Sequence, residues 1–169
     1  MPNFRWIEIE SSGKLAISPH PAGHDSLETD LKKLRSNGVD VLVSMLGREE
    51  SEYLGLKEEP VVCAKVGLEF IQAPIIDRSI PETASNIYRV AMLIGDRLTT
   101  GQNVVVHCRM GIGRASVMAA CVMALRGIEP SDAFELITQA RGIQVPDTLS
   151  QKLWVESFAA TFSSPERTP

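Results

Sequence analysis

Cys108 and Arg114 stand six positions apart, and the residues between them, Arg109-Met110-Gly111-Ile112-Gly113, include two glycines and a second arginine. The run before them, Val104-Val105-Val106-His107, has the β-branched character of a short buried strand. The chain from Ala115 onward reads as helix, so the segment is a strand-to-helix turn. Gly111 and Gly113 allow backbone conformations closed to other residues. Successive amide N–H groups can therefore curl inward where the following helix presents its positive end. Such a turn is a cradle for a phosphate-sized anion with a thiol at its base. Thiols at helix N-termini among cationic side chains ionise with pKa values of roughly 3.5 to 7.5, against about 8.5 for a free cysteine, and a thiolate beneath a phosphoryl group is a poised nucleophile. The planar fork of Arg114 suits a second task, holding two phosphoryl oxygens in the ground state and through the transition state.

Displacing an alkoxide or phenoxide from a phosphate ester also needs a proton donor on the leaving-group side, so a carboxylic acid should arrive from another loop. Asp77 is the candidate, because it follows an apolar strand-like run and opens the loop Asp77-Arg78-Ser79-Ile80-Pro81. Once the thiolate carries the phosphoryl group, the same carboxylate can activate water.

The elements that must position these groups alternate along the chain. Residues 4–10 and 14–18 read as two opening strands. Pro19 to His24 is turn chemistry whose two histidines sit beside prolines and glycine, which favours a loop over a metal site. Leu27, Leu31 and Leu34 recur at helical spacing up to Asn37-Gly38, and residues 39–45 form a buried strand. Short helices are expected over 48–56 and 59–66, then a strand over 68–76 that Pro74 interrupts. Pro81-Glu82 opens a helix with Ile87, Ala91, Ile94 and Leu98 on its inner stripe. After the turn come helices over 115–126 and 130–141, and a third from Pro146 to about Phe162, with a frayed polar tail over 163–169. The pattern predicts an α/β fold, a central mixed sheet flanked by helices, with the site on loops at one edge.

A chain of 169 residues with 44% hydrophobic content is long enough for one well-filled core, so residues 1–169 are expected to form a single domain. No run of about 18 or more apolar residues occurs, and the opening Met1-Pro2-Asn3-Phe4-Arg5 lacks the apolar core of a secretory signal. The expectation is a cytoplasmic monomer with no membrane span. A net charge of −4 argues against a nucleic-acid partner and makes the basic turn a local positive feature on an acidic body. Cys63, Cys108 and Cys121 are widely spaced and form no C-x-x-C pair, so neither a disulfide framework nor a zinc site is indicated, and Cys63 and Cys121 read as core residues. Glu49-Glu50, Glu58-Glu59 and Lys32-Lys33 read as solvated faces, and Arg78 and Arg109 as charges at the pocket rim.

His107-Cys108, five residues, then Arg114 resembles the H-C-x₅-R signature of the cysteine-dependent protein tyrosine and dual-specificity phosphatases. The Asp77 loop resembles that family's mobile general-acid loop. Residues 38–52 and 68–81 are similar to the compact cyclin-dependent-kinase-associated type, and the resemblance spans about 15–158. It implies a protein tyrosine phosphatase-like fold that hydrolyses phosphomonoesters through a cysteinyl-phosphate. Cys108 would be the nucleophile, Arg114 the phosphoryl clamp and Asp77 the general acid and base. His107 would tune the thiolate. The amides of Arg109, Met110, Gly111, Ile112, Gly113 and Arg114 would hold the phosphoryl oxygens, with no metal and no cofactor. The implied partner is a phosphorylated protein or another phosphoester. Gln144 or Gln151 stands near where the family often keeps a water-positioning glutamine.

The chain departs from the family pattern at Ala115, where serine or threonine usually assists the sulfur as a leaving group. Ser116 is one position later and turned about 100° away on a helix. A slow second step is therefore expected. Aromatic residues make up 5% of the chain and no tyrosine-bearing recognition loop is evident, which leans toward a shallow, dual-specificity pocket. Three alternatives stay open: a phosphoinositide phosphatase favoured by the Arg109 charge, a sulfurtransferase or arsenate-reductase type of enzyme, and a non-catalytic phospho-binding module.

Overall fold

Strands that carry three consecutive apolar residues present apolar side chains on both faces and need cover on both, and three stretches of this chain have that character. In the computed structural model, which describes residues 3–163, they are the central strands of one sheet. The five strands are β1 (Trp6–Ile7), β2 (Leu15–Ser18), β3 (Val41–Ser44), β4 (Glu69–Gln72) and β5 (Val104–His107), in spatial order β1-β2-β5-β3-β4. β1 pairs with β2 antiparallel, and the other neighbours are parallel, so the sheet is mixed as expected. β2, β3 and β5 are buried along their whole length.

Seven helices supply the cover: α1 (Leu27–Ser36), α2 (Arg48–Tyr53), α3 (Glu59–Val66), α4 (Ala84–Thr99), α5 (Arg114–Leu125), α6 (Pro130–Arg141) and α7 (Leu149–Phe162). α1 packs with α3, and α5 packs with α4, α6 and α7. α5 is buried from Arg114 to Ala124, which is why its sequence is apolar on every side rather than striped.

The boundaries differ from the sequence expectation where a local group decides them. β1 is only two residues of the expected 4–10. β4 stops at Gln72, although Ala73 and Ile75 still donate backbone bonds to Ser44 and Met45; Pro74 between them has no N–H, so the ladder breaks there. α2 ends at Tyr53 because Gly55 turns into the left-handed region. α4 begins at Ala84 after Thr83, and α7 at Leu149, where Thr148 and Gln151 form a reciprocal capping box. Residues 164–169 of the expected tail lie outside the described residues.

The strand register sets the site. Ser18, His107 and Ser44 are aligned neighbours on β2, β5 and β3, so the chain leaves the central strand at the carboxyl edge of the sheet with a parallel strand on either side. In parallel sheets, ligand crevices lie at this edge.

Candidate active site

The turn between β5 and α5 holds Cys108 at its base, 3% exposed, with the N-terminus of the 12-residue α5 directed at the loop. Its hydrogen bonds fall into two groups. The carbonyls of the loop are used from outside: Arg109 O accepts from His20 N (3.3 Å), and Met110 O and Gly111 O accept from Arg141 (3.1 Å each). Ile112 O and Gly113 O accept from the Ser116 hydroxyl at 2.5 and 2.7 Å. The N–H groups of Arg109 to Gly113, in contrast, donate to no protein acceptor among the described residues. Successive amides left without a protein acceptor, next to a thiol and at the N-terminus of a 12-residue helix, make the arrangement of an anion-binding nest.

Glycine is required at one point of this loop and leaves room for neighbouring side chains at another. Gly111 has φ +66°, and a Cβ there would collide with the Ser18–Pro19 backbone. At Gly113 a Cβ would press on the Asp147 carboxylate and the Gln151 amide.

Arg114 opens α5 with its side chain 1% exposed. Glu50 takes it in a fork, with Nη1 to Oε2 at 2.7 Å and Nη2 to Oε1 at 2.9 Å, and Nη1 also donates to Ile75 O at 3.0 Å. Asp77 Oδ1 lies 3.0 Å from Nη2, with the Asp77 side chain half exposed. The structure thus brings Cys108, Arg114 and Asp77 together from two loops. The guanidinium is aimed by a carboxylate that the sequence does not single out. Glu50 is not on a solvated face; α2 carries it inward while its neighbour Glu49 stays exposed.

The charges reinforce one another. The hydrogen bond from Arg114 holds the Glu50 carboxyl below the usual range, against a partial burial that acts the other way. Burial pulls the Arg114 pKa down, but the Glu50 bond and the charges of Glu50, Cys108 and Asp77 more than reverse this. The other two thiols are core residues: burial, with Glu59 adding to it, pushes Cys63 up to about 12, and burial alone raises Cys121.

His107 is fully buried behind the thiol, with Nδ1 3.4 Å from Cys108 O. Its Nε2 lies 3.0 Å from Glu59 Oε1 without the alignment of a hydrogen bond. Glu59, expected on a solvated face, is 1% exposed. Met110 and Arg109 are exposed at the rim, and Ile112 is half-buried. Of the two glutamines, Gln144 is exposed and bonds only to its neighbour Val145 O, away from the loop. Gln151 is buried against Gly113, and its Nε2 donates to Ser79 O at 3.2 Å, joining α7 to the loop that carries Asp77. Glu50, Glu59 and Arg141 escape sequence reasoning because each comes from a distant element, and nothing in their local pattern separates them from surface charges.

Comparison with known proteins bears on the family and the fold. A protein of Invertebrate iridescent virus 6 named as tyrosine phosphatase 123R is 32% identical over 82 residues, covering 48% of this chain and 58% of that one. Cyclin-dependent kinase inhibitor 3 of Rattus norvegicus is 25% identical over 141 residues, covering 79% of this chain and 63% of that protein. The chain therefore spans less than two thirds of the length of these curated relatives. Among solved structures, a kinase-associated phosphatase with its catalytic-site cysteine replaced by serine superposes with a TM-score of 0.85 at 18% identity, over 95% of this chain and 96% of that one. PTPMT1 does so at 0.74 and 20% identity, over 95% and 96%. The fold is that of the protein tyrosine phosphatases. Residues 18–128 match the family described as "Polymorphic toxin system, DSP-PTPase phosphatase". With that match over well more than half its length, the chain belongs to the DSP-PTPase family of cysteine-dependent phosphatases.

Proposed function

We propose that this chain hydrolyses phosphomonoesters of proteins through a cysteinyl-phosphate. The observation that carries the reading is the row of five amides, Arg109 to Gly113, that follow Cys108 without a protein acceptor, with Arg114 next in the chain, held by Glu50 and beside Asp77. The amides and Arg114 bind the three non-bridging oxygens and hold them as charge redistributes. The Cys108 thiolate attacks phosphorus, the P–O bond to the leaving group breaks, and Asp77 delivers its proton to the departing oxygen. In the second step the Asp77 carboxylate takes a proton from water as that water attacks phosphorus. The P–S bond then breaks, releasing inorganic phosphate and the thiolate. Glu50 positions Arg114, and the Glu59–His107 pair supports the backbone beneath the sulfur.

Asp77 beside the clamp favours this chemistry over sulfur transfer or arsenate reduction, which need no acid on the leaving-group side. The second step is the slower one. Ala115 offers no hydroxyl, and the Ser116 hydroxyl is committed to the carbonyls of Ile112 and Gly113 rather than to sulfur. Turnover of para-nitrophenyl phosphate by the wild type, lost in Cys108→Ser, tests the reading; a serine variant that retains turnover would overturn it.

A further inference from the structure

A groove of about 690 Å³ runs from the candidate site between the start of α2 and the loop joining β4 to α4. Asp77 and Glu50, the two carboxylates that meet Arg114, line it, so the groove opens beside the clamp residue. Pro74, Ile76 and Ile80 line its apolar part, with Ile76 68% and Ile80 43% exposed. Two large aliphatic side chains left in water on the loop that carries the acid are more than that short loop needs for its own packing. Glu49 and Glu82 line the same groove and are exposed, and neither has an ion-pair partner among the described residues. The one arginine in the groove, Arg48, is paired with Glu52 at 3.3 Å, and neither Arg78 nor Arg109 lines it. The result is an apolar strip between two uncompensated carboxylates, immediately beside the point where phosphate would bind.

We propose, resting on the phosphatase reading above, that this groove seats the polypeptide flanking the phosphorylated residue and selects for an aliphatic side chain together with a lysine or arginine. Opposite charge across a contact favours the matching partner, and like charge penalises the wrong one. A phosphoinositide headgroup, whose additional phosphates are all negative, meets repulsion from Glu49 and Glu82 in the same place. The groove therefore points to protein rather than lipid as the substrate class.

The test compares kcat/KM for phosphopeptides that carry Leu and Arg, or Gly and Glu, on either side of one phosphorylated residue. Phosphoinositide vesicles and para-nitrophenyl phosphate serve as references. The wild type should prefer the Leu/Arg peptide by about tenfold, the scale of two partly exposed charge contacts. The double variant Glu49→Lys/Glu82→Lys should reverse that preference, while the aryl phosphate, too small to enter the groove, turns over as before. Should the double reversal fail to fold, Glu49→Gln and Glu82→Gln should each flatten the preference. Equal rates on the two peptides, a preference unmoved by these variants, or faster hydrolysis of the vesicles than of either peptide would overturn the proposal. A wild type inactive on the aryl phosphate would instead remove the phosphatase reading on which it rests.

Discussion

Two strand-to-helix connections meet at the site, and the sheet treats them differently. The loop after β5 leaves the central strand, with β2 and β3 on either side, and its carbonyls are tied down by His20, Arg141 and Ser116. The loop after β4 leaves an edge strand. It is held by Arg114 at Ile75 O and Asp77, by a turn from Ser79 N to Ile76 O and by Gln151 on Ser79 O, and beyond Asp77 it keeps Arg78 in the left-handed region with Ile76 and Ile80 in water. The position of a strand in the sheet thus decides how many neighbours fix the loop that follows it. In the proposed mechanism, the groups that must hold one geometry, Cys108 and Arg114, come from the centre. Asp77, which must exchange a proton with substrate and water, comes from the edge.

The comparison can be broken at several points. Removing the central thiol should be the most severe change. Cys108→Ser is expected to lower turnover of an aryl phosphate by about 10⁴-fold or more while calorimetry still detects binding of inorganic phosphate. At the edge, Asp77→Asn should cost about 10² to 10⁴ in kcat/KM for alkyl phosphates, the usual range for a general acid, and far less for para-nitrophenyl phosphate, whose leaving group needs no proton; kcat/KM reads the first step, which alone contains the leaving group. A loss equal for both leaving groups would take the acid role away from Asp77.

Glu50 links the two loops through Arg114. Glu50→Gln gives up a charged fork and should lower kcat/KM by about 10- to 100-fold. It also carries a pH signature. Arg114 holds the folded-state pKa of Glu50 below its ordinary value of 4.5. Its contribution to stability is therefore complete above that value and is lost as the pH falls through the folded-state value. The melting-temperature gap between wild type and Glu50→Gln should be widest near neutrality and close in strong acid. A gap unchanged across that range would mean that Glu50 does not act through its charge. The smallest effect belongs to the loop's departure from its family: Ala115→Ser should raise the steady rate by about two- to tenfold, the worth of one hydrogen bond. Rapid-quench measurement of the wild type should show a burst of phenol release that the variant loses. A linear time course in the wild type would place the slow step elsewhere.

The centre was far more legible in the sequence than its surroundings. Val104 to Arg114 declares a strand, a tight turn and a helix through strictly local signals, and the helices α1, α4 and α6 follow from apolar spacing and terminal glycines. What stayed hidden is long-range. Glu49 and Glu50, or Glu58 and Glu59, are indistinguishable as dipeptides. Which member of each pair turns inward depends on how α2 and α3 dock against a sheet edge that no local pattern describes. Arg141 lies about 30 residues from the carbonyls it holds, at the end of a helix where an arginine is already favoured for other reasons. Gln151 could be named as a candidate, but only the fold separates it from Gln144.

The free amides of the cradle also bear on the protein's own folding equilibrium. A bound anion takes up these donors and the helix N-terminus while having no comparable site on the unfolded chain, so its binding draws the equilibrium toward the folded state. Inorganic phosphate is then a stabilising ligand as well as a product. At a concentration about 100 times its Kd it would add about 2.7 kcal/mol to the unfolding free energy, so the melting temperature becomes a titration of the cradle that needs no turnover at all.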